Sequence, residues 1–123
     1  MNKDKTILVV DDSEAIRQAV YYMLLKKGYK VLLAKDGQDS LQHLTGQEID
    51  LIISDLHMPI MDGIGLIRQV RKNEHYKRVP ILVLTTESQL SIKNKAKNAG
   101  ATGWILKPFE TEKLLLTIHK VLR

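Results

Sequence analysis

Hydrophobic residues along this chain fall into two alternating patterns. Short continuous apolar runs, each bounded by polar or turn-forming residues, are typical of strands buried on both faces. Between them lie longer segments whose apolar residues recur every three or four positions, which is the spacing of a helix with one buried face. The runs predict strands at 6–10, 30–34, 50–54, 79–84 and 102–106. The other segments predict helices at 14–27, 38–44, 64–72, 89–99 and 111–122.

Strict alternation of strand and helix indicates an α/β fold. Consecutive parallel strands need helical crossovers, and their right-handedness restricts the topology to a few doubly wound orders. We therefore predict a five-stranded parallel sheet covered on both faces by five helices. Gly28 is expected to end the first helix, and Pro80 must lie near the start of its strand because proline cannot donate to the sheet ladder.

Several residues at helix ends and faces carry local predictions. Thr111 is expected to be the N-cap of the last helix. Asp62, which precedes the helix at 64–72, is expected to be a turn or cap residue. The helix at 89–99 has a thin apolar stripe of Leu90, Ile92 and Ala96, so we expect it to be one of the less firmly packed elements.

Composition limits the class of protein. The 123 residues are 44% hydrophobic and 27% charged, which is typical of one globular domain. The sequence contains no cysteine, so disulfides and thiolate metal sites are excluded. The polar start at 1–5 lacks the apolar core of a secretory signal, and no apolar stretch is long enough to cross a bilayer. We therefore expect a cytoplasmic protein that does not bind membranes.

The formal net charge of +5 raises the question of an acidic partner such as nucleic acid. Proteins that bind nucleic acid usually combine basic residues with a docking element, and the sequence has neither a helix-turn-helix pattern nor an aromatic-basic stripe. We interpret the charge as a solvated basic surface and predict no nucleic-acid partner.

Reactive polar residues follow four of the five predicted strands. Asp11 and Asp12 come after the first strand, Asp55 after the third, Thr85 after the fourth and Lys107 after the fifth. In open α/β sheets, ligands bind just beyond the carboxyl ends of the strands. If these ends are neighbours, three carboxylates, one hydroxyl and one ammonium group share a single crevice.

This set of groups suits phosphoryl chemistry. Carboxylate oxygens are the ligands that Mg²⁺ prefers, and a cation also lets clustered carboxylates stay ionised together. An aspartate beside a bound metal and a lysine is able to attack phosphorus and form an aspartyl phosphate. Taken singly, each residue has a plainer explanation: Thr85 as a helix cap, Lys107 as a solvated charge, and Trp104 in the fifth strand as a core residue.

The chain resembles the receiver domain of two-component response regulators. The resemblance rests on four motifs: Val-Asp-Asp-Ser at 10–13, Ser-Asp-Leu-His-Met-Pro-Ile-Met-Asp-Gly at 54–63, Leu-Thr-Thr-Glu at 84–87 and Lys-Pro-Phe at 107–109. It covers essentially the whole chain and is most marked for CheY-like single-domain regulators of chemotaxis, particularly at 85–89 and 100–104. It implies the flavodoxin-like strand order 2-1-3-4-5, and one receiver domain over 1–123 without an effector domain.

The resemblance also implies roles for individual residues. Asp55 corresponds to the phosphoacceptor, Lys107 to the lysine that pairs with the phosphoryl oxygens, and Thr85 and Trp104 to the switch pair. The implied cofactor is Mg²⁺. Its implied ligands are Asp11, Asp12, Asp55 and the backbone carbonyl of His57. The bond between Lys107 and Pro108 is expected to be cis, as in relatives.

Two further positions flank the expected crevice. His57 lies two residues after Asp55, and Glu87 lies two residues after Thr85. We hypothesise that both set the lifetime of the phosphoryl group by controlling access of water. The plainer explanation is that both are solvated loop residues.

The function implied is signal relay by a protein that is not an enzyme beyond its own phosphorylation and slow dephosphorylation. The expected partners are a histidine kinase as phosphodonor and an output protein, such as a flagellar motor component or a downstream regulator. We expect a monomer whose output face includes Lys93, Lys97 and Lys113. One alternative is a phosphorelay intermediate that passes the group to another histidine. A less favoured one is an Asp-nucleophile phosphohydrolase, since His57 stands where such enzymes commonly have a second carboxylate.

Overall fold

The computed structural model describes residues 4–123. The prediction that the chain has no secretory signal rests on the polar start at 1–5. Residues 1–3 of that start lie outside the described residues. Strands and helices alternate along the chain, with one short 3-10 turn after the second helix. Their bounds are β1 Thr6–Val10, α1 Glu14–Lys26, β2 Lys30–Ala34, α2 Gly37–Ser40, the 3-10 turn Leu41–His43, β3 Leu51–Ser54, α3 Gly63–Lys72, β4 Ile81–Thr85, α4 Leu90–Ala99, β5 Gly103–Leu106 and α5 Thr111–Leu122.

The five strands form one parallel sheet in the order β2-β1-β3-β4-β5. This confirms the predicted fold class and the strand order that the resemblance implies. Val10, the last residue of β1, is level with Ala34 on one side and Ser54 on the other. Thr85 at the end of β4 is level with Leu106 of β5. The carboxyl ends of neighbouring strands therefore lie along one edge of the sheet.

Two apolar cores lie on the two faces of the sheet. Successive side chains of a strand point to opposite faces. In β1, Ile7 and Val9 accordingly join the core under α1 and α5, whereas Leu8 and Val10 join the core under α2, α3 and α4. Both cores reach the carboxyl-end edge, so each strand delivers its last polar residue from a fixed backbone.

Most predicted boundaries are within two residues of the observed ones, and the exceptions have local causes. The helix predicted at 38–44 is a single turn that continues as a 3-10 turn. β4 begins at Ile81 rather than 79, because Pro80 has no N–H and the amide of Val79 bonds to the carbonyl of Tyr76. Asp62 caps α3 as predicted, since its carboxylate accepts from the amide of Gly65 at 2.8 Å.

Two local predictions were wrong. Thr111 is the first residue of α5, whose N-cap is Glu110, and that cap makes no side-chain hydrogen bond. Leu90 does not belong to the buried stripe of α4, because its side chain is 69% exposed. Helical side chains lean toward the N-terminus of their helix, so the first residue of α4 leans past the end of the core instead of onto it. Ala96 is the buried residue of α4.

Candidate functional site

Side chains from three strand ends meet at the carboxyl-end edge of the sheet. Asp11 follows β1, Asp55 follows β3 and Lys107 follows β5. The Lys107 ammonium group lies 2.8 Å from Oδ2 of Asp11 and 3.3 Å from Oδ2 of Asp55. Asp12 joins the two buried aspartates, because ligand oxygens of Asp11, Asp12 and Asp55 all lie within 4.8 Å of one another. The sequence predicted one crevice for these four residues and Thr85, and the geometry brings the four together.

Asp11 is held in place by its own loop. Its Oδ1 accepts the amide of Ser13 at 2.9 Å, and its backbone carbonyl accepts from the guanidinium group of Arg17 at 2.7 Å. Burial raises the pKa of Asp11 above its usual value, as does the negative charge of Asp55. The hydrogen bonds from Lys107 and Ser13 act in the opposite direction. Positive charge beside Asp11 therefore favours its ionised form.

Asp55 sits on a tightly packed turn. Its Oδ1 accepts the amide of Leu56 at 2.7 Å, which leaves Oδ2 facing Lys107. Behind it, a Cβ atom at Gly63 would clash with the backbone oxygen of Asp55, so only glycine fits there. Neither Gly63 nor Arg17 was predicted from the sequence to have a role of its own. Only the Asp-Gly pair at the start of α3 signalled that the chain turns sharply at this point.

Lys107 is largely buried, with its side chain 12% exposed. Burial alone would lower the pKa of Lys107, but the hydrogen bond and charge of Asp11, together with those of Asp55, outweigh it and hold the pKa above its usual value. Its backbone amide donates to the carbonyl of Thr85, and its peptide bond to Pro108 is cis, as expected. The ammonium group thus stands charged between two carboxylates.

Thr85 and Trp104 lie on the neighbouring strands β4 and β5. Thr85 is fully buried, and its hydroxyl oxygen accepts the amide of Glu87 at 3.2 Å. Trp104, in β5, is partly buried against the core under α2, α3 and α4. It also lines a surface cavity of about 310 Å³ between α4 and β5, together with Leu90, Asn94 and the basic pair Lys93 and Lys97. Lys113 lies beside a second cavity on the other side of Trp104.

His57 and Glu87 are in hydrogen-bonding contact between the loops that follow β3 and β4. His57 Nε2 lies 2.8 Å from Glu87 Oε1, and the two side chains are 60% and 14% exposed. The pKa of Glu87 is lowered, first by the hydrogen bond from the amide of Gln89 and then by the one from His57. The sequence predicted a position beside the crevice for each of these two residues. The contact between them is visible only in the structure.

A match to a family model identifies the protein family of this chain. The model of the response regulator receiver domain matches residues 7–119. The chain belongs to the response regulator receiver domain family. Receiver domains are signalling domains of two-component systems and imply a histidine kinase as phosphodonor and a downstream partner. The sequence resemblance is therefore confirmed, and the fold of this receiver domain is the one that the family implies.

The chain matches a different share of each individual relative. The receiver domain is 38% identical over 117 residues to response regulator MprA of Mycolicibacterium vanbaalenii, which covers 95% of this chain and 50% of that protein. It is 35% identical over 113 residues to the CAI-1 autoinducer sensor kinase/phosphatase CqsS of Vibrio cholerae, which covers 91% of this chain and 16% of that protein. The chain thus spans half or less of these two relatives.

Solved structures of similar length also match. The chemotaxis response regulator CheY4 of Vibrio cholerae is 45% identical, with a TM-score of 0.90 over 96% of this chain and 98% of that one. The receiver domain of sensor histidine kinase PA1611 from Pseudomonas aeruginosa is 29% identical, with a TM-score of 0.88 over 96% and 97% of the two chains. That domain was solved with a magnesium ion coordinated in its active site cleft.

No helix within residues 4–123 has the length and the apolar character that crossing a membrane would require.

Proposed function

We propose that this receiver domain works as a single-domain response regulator whose Asp55 accepts a phosphoryl group from a histidine kinase in the cytoplasm. The observation that carries the proposal is the position of Lys107, whose ammonium group bridges the buried carboxylates of Asp11 and Asp55. The match to the chemotaxis response regulator CheY4, 45% identical over 98% of that chain, supports a role in response regulation.

The proposed reaction is a displacement at phosphorus. A carboxylate oxygen of Asp55 attacks, the new P–O bond forms as the P–N bond to the kinase histidine breaks, and the electron pair of that bond returns to the histidine nitrogen. Oδ2 of Asp55 is proposed as the attacking oxygen, because it faces Lys107 at 3.3 Å, whereas Oδ1 is held by the shorter 2.7 Å bond from the amide of Leu56. Lys107 is placed to balance the charge of the transferred oxygens. The Thr85 hydroxyl is proposed to donate to the phosphoryl group after transfer, which requires it to exchange its present contact with Glu87.

Mg²⁺ is the proposed cofactor, and the residues present fit it. The three carboxylates of Asp11, Asp12 and Asp55 supply hard oxygen ligands within 4.8 Å of one another, and the backbone carbonyl of His57 is proposed as the fourth protein ligand. When bound, Mg²⁺ supplies positive charge beside the acceptor and the transferred phosphoryl oxygens.

The proposal is tested by following Trp104 fluorescence during titration with Mg²⁺ and then acetyl phosphate. Trp104 is the only tryptophan of the sequence, so the signal has one source. We expect a Mg²⁺-dependent change in wild type and none in Asp55→Asn, with a matching added phosphate mass in wild type alone. A wild-type protein that gains no phosphate by mass spectrometry would show that the acceptor assignment is wrong.

We propose that phosphorylation shifts an equilibrium involving Thr85 and Trp104. The partial burial of Trp104 leaves room for it to move further inward or outward. In Thr85→Ala we expect phosphorylation of Asp55 to continue, whereas the fluorescence change is largely lost. An unaltered fluorescence change in this variant would exclude Thr85 from the switch.

His57 and Glu87 are proposed to set the phosphoryl lifetime. The 2.8 Å contact between His57 and Glu87 joins the loop that begins with Asp55 to the loop after β4, so it is placed to limit entry of water. We expect His57→Ala and Glu87→Ala to change the hydrolysis rate of the phosphorylated protein by similar factors, since each removes the same contact. Hydrolysis rates equal to wild type in both variants would contradict the hypothesis.

The proposed output is phosphorylation-dependent binding of a partner in chemotaxis, either a flagellar motor component or a downstream regulator. Lys93 and Lys97 beside Trp104 favour an acidic partner surface. Lys113 is already paired with Glu110 at 3.2 Å and should contribute less. Charge reversal at Lys93 and Lys97 is expected to slow association at low salt, with Lys113→Glu as the weaker comparison variant. If wild type, the variant reversed at Lys93 and Lys97, and Lys113→Glu all associate at equal rates, these lysines are only solvated surface charges.

A phosphorelay intermediate is the second candidate. It is favoured by the 35% identity to a segment of a sensor kinase/phosphatase, a protein in which a receiver-like segment shares the chain with a kinase. Incubation of the phosphorylated protein with purified histidine phosphotransfer proteins distinguishes the two functions. Movement of the group from Asp55 to a second histidine would identify a relay, and hydrolysis alone would favour the single-domain regulator.

A further inference from the structure

Asp12 is the exposed member of the acidic group in the crevice, and its carboxylate accepts no hydrogen bond from any of residues 4–123. The carboxylates of Asp11 and Asp55 differ, since each is held by a backbone amide, that of Ser13 or that of Leu56. Ligand oxygens of all three aspartates nevertheless lie within 4.8 Å of one another. The direction of the Asp12 carboxylate therefore depends on how the backbone of Asp12 is held.

Both peptide groups beside Asp12 are restrained by hydrogen bonds. A peptide group is planar, so a bond to its oxygen or its N–H restrains the whole plane and the Cα atoms at its two ends. The group between Asp11 and Asp12 is held at its carbonyl oxygen, which accepts from Nη1 of Arg17 at 2.7 Å. The group between Asp12 and Ser13 is held at its N–H, which donates to Oδ1 of Asp11 at 2.9 Å. Together the two bonds restrain φ and ψ of Asp12.

Arg17 is in turn held by the first turn of α1. Oγ of the N-cap Ser13 accepts the amide of Ile16 at 3.3 Å, and the Ser13 carbonyl accepts the amide of Arg17 at 2.9 Å. The half-buried side chain of Arg17 reaches back from this turn to Asp11. A guanidinium group is planar and rigid, so it loses little freedom for each bond that it makes. The start of α1 thus carries the donor that restrains the loop before it.

The positive charge of Arg17 would by itself act against a metal site. A cation near three carboxylates repels Mg²⁺, so charge alone predicts that removal of Arg17 favours the metal. The contact that Arg17 makes is with the backbone of Asp11, and not with a ligand oxygen. Groups that orient metal ligands from behind typically change metal affinity by about 10- to 100-fold. The two effects therefore have opposite signs, and a binding measurement separates them.

From these contacts we infer that Arg17 is a positioning residue for the metal site. Its bond to the Asp11 carbonyl aims the Asp12 carboxylate at the place where the oxygens of Asp11 and Asp55 converge. The inference rests on the proposed function, because it concerns proposed ligands of Mg²⁺. It adds a residue outside the ligand set, and it makes this cation favourable for binding of another cation.

Titration of the whole purified chain with MgCl₂ at constant ionic strength tests the inference, with binding followed by calorimetry and by Trp104 fluorescence. Arg17→Met keeps an unbranched side chain but loses the donor, and it should raise the dissociation constant for Mg²⁺ about tenfold. Arg17→Lys keeps the charge and one donor, so it should recover part of the affinity. Arg17→Gln, a polar neutral replacement, serves the same test if Arg17→Met is unstable.

Lys35→Met is the matched control for loss of charge. Lys35 follows β2, whose last residue Ala34 is level with Val10 of β1, so Lys35 lies at the same edge of the sheet. Its ammonium group is exposed and pairs with no group among residues 4–123. Removal of this charge should leave the dissociation constant for Mg²⁺ unchanged or slightly lower, which is the opposite of the change expected for Arg17→Met.

A double-mutant cycle tests whether Arg17 acts through Asp12. In the Asp12→Asn background, Arg17→Met should change the dissociation constant much less than in wild type, because the carboxylate that Arg17 aims is already gone. Thermal unfolding of each variant shows that the protein is folded before the comparison. A loss of thermal stability without a loss of Mg²⁺ affinity would mean that Arg17 only supports the fold, and it would overturn the inference.

Two further results would overturn it. One is a folded Arg17→Met or Arg17→Gln protein that binds Mg²⁺ as tightly as wild type or more tightly. The other is an equal loss of affinity on Arg17→Met with and without the Asp12 carboxylate. Wild type that binds no Mg²⁺ would instead contradict the proposed cofactor, so failure of the inference is distinguishable from failure of the proposed function.

Discussion

Helices α1 and α4 lie on opposite faces of the sheet and are held there by different forces. α1 buries Val20 and Leu24 completely, and Ile16 and Met23 add partly buried apolar contacts. α4 buries only Ala96 completely, which has a single methyl group to contribute. Ile92 and Ala99 add partly buried contacts to α4, so apolar burial holds α4 less firmly than α1, and α4 depends more on polar contacts.

Those contacts are at the two ends of α4. Its N-cap, Gln89, makes no side-chain cap hydrogen bond, but its amide donates to the carboxylate of Glu87 at 3.0 Å. At the other end, the carbonyl of Gly100 accepts two hydrogen bonds from the guanidinium group of Arg71, at 2.7 and 3.1 Å. A change of charge nearby is able to exchange the polar contacts of α4, whereas the burial of α1 responds little to charge. We therefore expect a change of charge at the site to affect α4 more than α1.

The largest difference is expected between two leucines of the two helices. Leu24→Ala in α1 removes a fully buried side chain and should lower the free energy of unfolding by about 3 kcal/mol. Leu90→Ala in α4 removes a side chain that is 69% exposed and should change it by less than about 0.5 kcal/mol. Urea denaturation of both variants measures the difference. Similar losses would show that α4 is packed as firmly as α1.

Removal of the Arg71 side-chain charge should loosen α4 selectively. Arg71→Met removes the bonds to Gly100 and also those to the carbonyls of Lys77 and Val79, so we expect a loss of about 2 kcal/mol. Hydrogen exchange should accelerate at the amides of the last turn of α4 and remain as in wild type across α1. Arg68→Met is the control, because Arg68 is an exposed residue of α3, the helix that also carries Arg71. It should change neither the free energy of unfolding nor the exchange rates in α4. Equal acceleration in α1 would mean that Arg71 supports the whole fold.

The two N-caps provide a smaller contrast. Ser13 Oγ accepts the amide of Ile16 at 3.3 Å, so Ser13→Ala should cost about 1 kcal/mol. Gln89→Ala should cost much less, because the Gln89 side chain makes no cap bond and its amide keeps its bond to Glu87. Thermal unfolding of Ser13→Ala and Gln89→Ala at one pH measures the loss of stability that each substitution causes. A larger loss for Gln89→Ala would contradict the assigned capping pattern.

The smallest expected effect is a pH dependence at the start of α4. The pKa of Glu87 is lowered below its usual 4.5 by the amide of Gln89 and by His57. A carboxylate with a depressed folded-state pKa contributes stability above its unfolded-state pKa and loses that contribution as the pH falls through the folded-state value. Glu87→Gln should therefore be slightly less stable than wild type at neutral pH, and the gap should close below pH 4.5. A gap that widens in acid would reverse the sign of the assigned shift.

Much of the fold and the candidate site was predictable because both depend on strand ends. A short apolar run must be buried, and the polar residue that follows it must lie at the edge of the sheet; this placed Asp11, Asp55 and Lys107 without any coordinates. What remained unpredictable depends on groups far apart in the sequence. Arg71 had no distinguishing signal, because its partners Val79 and Gly100 come from two other parts of the chain. Leu90 was misassigned because periodicity does not reveal where the core ends.

By itself, the sequence determined the class of the protein: five strand–helix units, a parallel sheet, and a set of acidic and basic residues at the strand ends that match the receiver family. The tertiary structure alone decided how those residues meet. It put the ammonium group of Lys107 within 2.8 Å of Asp11 and joined His57 to Glu87. The reason is physical: periodicity and turn chemistry are local properties of a chain, whereas distances, burial and charge pairs depend on where separate segments pack.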